Sequence, residues 1–155
     1  MSGLPIIFLD IDGVLNSHQW HVLNPEVSRG GDMLDDAAIR VLNHLIIQTD
    51  AEVVISSVWR GLYERKELLD LLRKHGFTGT IIGDTPHLAR PAQRGDEIGQ
   101  WLAGHAFDAR RFVILDDDHD MGELLPHLIL IDNREGLSPW HIPMARYHLL
   151  GEGWG

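Results

Sequence analysis

The chain has 155 residues, a net charge of −10 and 44% hydrophobic content, the balance of one folded domain. No cysteine is present, which excludes a disulfide scaffold, a thiolate zinc site and a cysteine nucleophile. The acidic excess, 13 Lys+Arg against 23 Asp+Glu, disfavours an extended nucleic-acid-binding surface but leaves room for a local cationic pocket.

The elements follow in chain order. Ile6-Ile7-Phe8-Leu9 is a continuous apolar run ending in carboxylates, as in a strand buried on both faces. Residues 17–34 leave space for a loop or a small flap. Asp35-Asp36 caps a helix whose apolar face is Ile39, Leu42, Leu45 and Ile46. Glu52 to Ser56 reads as a second strand. Leu62 to His75 is helical, with Leu68, Leu69 and Leu72 on one face and Gly76 as its stop. Thr80 to Ile82 is a third strand, and Asp96 caps a helix carrying Ile98, Trp101 and Leu102. Phe112 to Leu115 is a fourth strand, followed by Asp116. A short helix from Met121 to Leu125 precedes Pro126, and Leu128 to Ile131 is a fifth strand ending at Asp132. The core spans residues 4–132 of a single domain, and residues 137–155 receive no assignment. No run approaches the ~18 apolar residues of a membrane span. The first apolar stretch lacks the basic flank of a signal peptide, so a cytoplasmic location is expected.

Strands alternating with helices predict βαβ units and a three-layer, Rossmann-like α/β fold around a parallel sheet. Right-handed crossovers bring all strand C-termini to one edge, where open α/β sheets bind ligands. The residues at that edge are polar at three strand ends: Asp10 and Asp12, Ser56 and Ser57, and Asp116 to Asp118. Clustered carboxylates repel, and a divalent cation relieves the repulsion. An all-oxygen set suits Mg²⁺. Asp116-x-Asp118-x-Asp120 begins like a calcium loop, but Met121 stands in place of its glycine and His127 in place of its last glutamate. The ten histidines form no metal-ligand spacing; His18 and His21 flank Trp20 just after the first strand, where a substrate could pass. Trp59 either shapes the crevice by stacking or packs in the core, and Arg60 either touches a substrate phosphate or pairs with an acid.

Four motifs in order resemble the haloacid dehalogenase-like phosphohydrolase superfamily. Phe8-Leu9-Asp10-Ile11-Asp12-Gly13-Val14-Leu15 resembles the first, and Val54-Ile55-Ser56-Ser57 the second. Arg94 stands in the place of the third motif's basic residue, and Val113-Ile114-Leu115-Asp116-Asp117 resembles the fourth. Ile55 to Arg60 and Leu115 to Met121 are similar to the branch found as a domain in Swiss-Army-knife RNA repair proteins. The resemblance implies that Asp10 is a nucleophile forming an aspartyl-phosphate and that Asp12 is the acid and base. It implies Mg²⁺ held by Asp10, Asp117 and the backbone carbonyl at Asp12, with Asp116 either ligating the same ion or orienting a water. Ser56, Ser57, Arg94 and Arg60 would bind the phosphate. Neither gap between motifs has room for a large cap domain, so the crevice should be open. The substrate expected is a phosphomonoester on a nucleotide or a polynucleotide end; the alternative is a small-metabolite phosphatase. A phospho-receiver module would share the sheet and the Mg²⁺, with Asp84 as acceptor, but no lysine follows the fifth strand.

Overall fold

The structure is a computed structural model of the chain and describes residues 3–29, 33–105 and 110–151. Its strands are β1 (Ile6–Leu9), β2 (Glu52–Ile55), β3 (Ile81–Asp84), β4 (Phe112–Asp116) and β5 (Leu128–Leu130). They form a parallel sheet in the order β3-β2-β1-β4-β5. The helices are α1 (His18–Leu23), α2 (Pro25–Arg29), α3 (Asp36–Thr49), α4 (Arg65–Lys74), α5 (Arg94–Gly104) and α6 (Ile142–Leu150).

The two-residue period of a strand decides the layers. Ile7, Leu9, Val53, Ile55, Val113 and Leu115 share one cluster with Ile39, Leu42 and Leu45 of α3, Leu68 and Leu72 of α4, and Ala145 and Leu149 of α6. The intervening residues Ile6, Phe8, Val54 and Ile114 share a second cluster with Ile98 and Trp101 of α5 and with Met121. Three helices therefore cover one face and α5 covers the other, beside the 3-10 segment Gly122–His127. Each fully buried aliphatic side chain contributes roughly 1.5–3 kcal/mol. The expected three-layer Rossmann-like α/β fold is present, with no cap domain.

Several boundaries differ from the sequence expectation. The third helix cap is not Asp96: Gln93 caps α5, and Asp96 sits at its third position as the returning half of a capping box. α4 begins at Arg65 rather than Leu62, behind a Glu64–Glu67 box, because the 3-10 turn Val58–Gly61 uses the preceding residues. Past β4 the expected short helix is present as the 3-10 segment, shifted to Gly122–His127, with Pro126 inside it rather than after it. The space after β1 holds α1 and α2. The unassigned stretch from residue 137 holds α6, which runs against α3; residues 152–155 lie outside the described residues. No helix among the described residues is long and apolar enough to cross a membrane.

α6 is thus part of the core rather than an appendage, since Ala145 and Leu149 are both buried in it. Leu149→Ala is expected to cost about 2–5 kcal/mol of folding free energy, read as a lower urea midpoint with an unchanged slope. A shift near zero would show that α6 is not part of the cooperative fold.

Candidate functional site

Strand register assembles the site. Leu9 pairs with both Ile55 and Leu115. The ladder continues one residue further, because Asp10 N donates to Leu115 O (3.0 Å) and Ser56 N to Leu9 O (2.9 Å). Asp10, Ser56 and Asp116 therefore stand side by side at the C-terminal edge. Counting in twos from Phe8, Val54 and Ile114, all three belong to the face covered by α5, and Arg94 is the first residue of α5.

The charges converge there. Asp10, Asp116 and Asp117 have carboxylate oxygens within 4.8 Å of one another. Arg94 Nη1 lies 3.5 Å from Asp10 Oδ1 and 3.5 Å from Asp116 Oδ2. Burial pushes the Asp10 carboxyl up to about 9; repulsion from Asp116 adds to the rise and the Arg94 guanidinium opposes it. Burial likewise raises Asp116, to about 7, again against Arg94. Asp116 Oδ2 and Ser56 Oγ are buried and have no hydrogen-bond partner in the protein. Orphaned buried oxygens are costly unless a ligand meets them. The three carboxylates, short of positive charge, fit an oxygen-liganded divalent cation, and the Ser56 hydroxyl with Arg94 offers donors for an anion beside it.

Glycine makes the close approaches possible. Gly13 has φ +83°, and a Cβ there would run into the Asp117 carboxylate. A Cβ on Gly95 would collide with the Met121 backbone, so α5 can start this close to the loop after β4 only with glycine at that position. Asp120 Oδ2 accepts from Arg94 N at 3.3 Å.

The remaining sequence-predicted residues divide. Asp12 lies outside the three-carboxylate group: the chain turns at Gly13, and the exposed Asp12 carboxylate accepts from Asn16 Nδ2 at 3.2 Å. Ser57 is fully buried, and its Oγ accepts from Trp59 N at 3.2 Å, which caps the following turn. Arg60 is an ion-pair partner: Nη2 meets Glu97 Oε1 at 2.8 Å, its side chain only 4% exposed. Trp59 is a core residue. Asp84 pairs with Arg65 at 2.9 Å on β3, the edge strand, with β2 between it and β1, so a receiver-type acid pocket does not form.

Sequence reasoning missed Glu97. This buried carboxylate lies 2.8 Å from Arg60 and 3.8 Å from Arg94 Nε, and accepts from Leu88 N at 2.9 Å. Its signal was its place one helical turn after Arg94. Asn133 was also missed; its Nδ2 lies 3.5 Å from Asp117 Oδ2, just past β5.

Two outcomes follow from these charges. Glu97→Ala strands the buried Arg60 guanidinium and is expected to cost about 3–5 kcal/mol in denaturant unfolding. A loss under about 1 kcal/mol would make it equivalent to a surface pair. The folded Asp10 carboxyl keeps its proton above the ordinary value of 3.8, up to about 9. Across that window the unfolded chain holds fewer protons, so this group's stabilising contribution is full at acid pH and is lost as pH rises. Without a divalent cation the melting temperature should fall with pH more steeply than in Asp10→Asn, and a bound cation should remove the difference. Parallel pH profiles for the two proteins would contradict this.

A comparison with curated proteins finds no match, and neither does one with solved structures. Among family models, the one described as the HAD domain in Swiss Army Knife RNA repair proteins matches residues 6–142, from the first strand to the start of α6. That span contains every residue of the site, and the chain belongs to this family of haloacid dehalogenase-like domains.

Proposed function

We propose that the protein is a Mg²⁺-dependent phosphomonoester hydrolase that works through an aspartyl-phosphate on Asp10. Its substrate would carry the phosphate on a nucleotide or on a polynucleotide end. The observation that carries the reading is Asp10 itself, a buried carboxylate beside Arg94 and next to the unpartnered Ser56 hydroxyl. In the first step an Asp10 oxygen attacks phosphorus and the bond to the leaving oxygen breaks, while Asp12 gives that oxygen a proton. In the second, Asp12 takes a proton from water, the water oxygen attacks phosphorus, and phosphate leaves as Asp10 is restored. Arg94 and the Ser56 hydroxyl hold the phosphoryl oxygens throughout. Asp10, Asp117 and Asp116, with the carbonyl at Asp12, would hold the Mg²⁺, which when bound offsets charge on the phosphoryl group. The exposure of Asp12, outside the buried cluster, supports a role toward a leaving group arriving from solvent.

The family supports the nucleic-acid side of the reading, because its description concerns RNA repair proteins. Phosphate release should require Mg²⁺ and fall by about 10³-fold or more in Asp10→Asn. Phosphate release by a folded Asp10→Asn at a comparable rate would remove the nucleophile assignment.

A further inference from the structure

α1 is anchored, yet little of it is packed inward. It has no buried residue, and Val22 and Leu23 are 63% and 78% exposed. Even so, Ser17 Oγ accepts from Trp20 N at 3.0 Å. His18 N donates to Asn133 O at 2.9 Å and Gln19 N to Arg134 O at 3.1 Å. A short helix normally depends on an apolar stripe packed inward. This one is held largely by its backbone: Trp20 is half-buried, while Val22 and Leu23 turn outward.

What it borders is the site. A cavity of 410 Å³ is lined by Asp12, Gly13, Asp117 and Asn133 on one side and by His18 and His21 on the other. A second, of 320 Å³, is lined by His18, Gln19, Val22 and Leu23, and its walls are mostly apolar. His18 belongs to both, so the two make one trough running from Asp12 outward along α1.

We propose that this trough binds the leaving group of the substrate and selects one that carries a flat ring, so that the enzyme prefers phosphomonoesters of nucleosides, free or at a chain end. The proposal rests on the phosphohydrolase reading above. The leaving oxygen has to lie within hydrogen-bond reach of Asp12, so the leaving group begins in the first cavity. There the His18 imidazole and the Asn133 amide face a sugar. Beyond His18, Val22 and Leu23 offer an apolar wall to the face of a base. A small aliphatic phosphate fills only the first cavity and gains nothing from the second.

The test measures phosphate release, with Mg²⁺, from glycerol phosphate, adenosine 5′-monophosphate and a 5′-phosphorylated oligonucleotide. The parent is compared with the double variant Val22→Asp/Leu23→Asp, whose two positions face solvent rather than the core. The parent is expected to favour adenosine 5′-monophosphate over glycerol phosphate by about tenfold or more in kcat/KM. The double variant is expected to cut that ratio about tenfold, mainly through KM. A faster, equally sensitive oligonucleotide identifies the chain end as the source of the ring; a faster mononucleotide identifies the free nucleotide. A second readout needs no turnover: adenosine 5′-monophosphate added to Asp10→Asn should shift the backbone amide signals of residues 18–23. Unshifted signals, or a ratio changed by less than about twofold, overturn the trough. Turnover of glycerol phosphate without any preference overturns the trough and leaves the hydrolase reading standing. A folded parent that releases phosphate from none of the three overturns both.

Discussion

Three carboxylates within 4.8 Å of one another, two of them buried, set the terms for everything around them. Two like charges about 4 Å apart repel by about 4 kcal/mol at an effective dielectric of about 20. The fold sets Arg94 against this, its one guanidinium 3.5 Å from each of two acids. Burial opposes ionisation as well, and together with the repulsion it holds Asp10 and Asp116 above the ordinary carboxylate range despite Arg94. An arrangement serving stability alone would have relaxed by exposing a carboxylate or replacing one. Its persistence at a sheet edge, beside orphaned oxygens, marks a place where charge is kept for a ligand.

Arg94 can act there only if it is held, and the holding is distributed. Asp116 Oδ1 accepts from Asp118 N at 3.0 Å, Asp118 Oδ1 from Asp120 N at 3.3 Å, and Asp120 Oδ2 from Arg94 N at 3.3 Å. This chain of turns joins the loop after β4 to the start of α5, and Gly95 lets the two backbones meet. Glu97 ties in the turn after β2 through Arg60, which also donates to the Ser57 carbonyl at 2.6 Å. Arg60 therefore supports the site from behind. An arginine already committed to a buried carboxylate and a carbonyl has little left for a phosphate, and among the described residues the guanidinium that reaches the acids is Arg94's.

Much of this was legible in the sequence because parallel strands make it so. Buried runs such as Ile6 to Leu9 and Phe112 to Leu115 mark strands by composition alone. The first polar residue after each run must then lie at the ligand edge, which located Asp10, Ser56 and Asp116 before any coordinates. Asp12 shows where the rule stops: the period of two holds only while the strand lasts, and the strand ends before Gly13. Arg60 and Glu97 were not legible as a pair, because 37 positions separate them and only the packing of α5 across the sheet face, beside the turn that follows β2, brings them together. α6 escaped for another reason. Its buried residues, Ala145 and Leu149, are too few to write a stripe into the sequence, and only α3 gives them something to pack on.

The absence of a cap has a chemical consequence. A closed site gains from excluding water, which strengthens every electrostatic contact inside it. Here the rim is built from the short α1, the loop past β5 and the exposed Asp12, and the crevice stays open. Strong interactions then have to come from groups beneath the rim: the buried Asp10, Ser56 and Asp116 at strand ends and the half-buried Arg94 at the start of α5. Open access also costs a hydrolase nothing, since water is its second substrate and a covalent intermediate on Asp10 would need water to reach it. A transferase built on the same acids would have to keep water out. An open crevice over a buried carboxylate cluster therefore suits hydrolysis better than transfer, and it leaves selection among substrates to whatever lies along the rim.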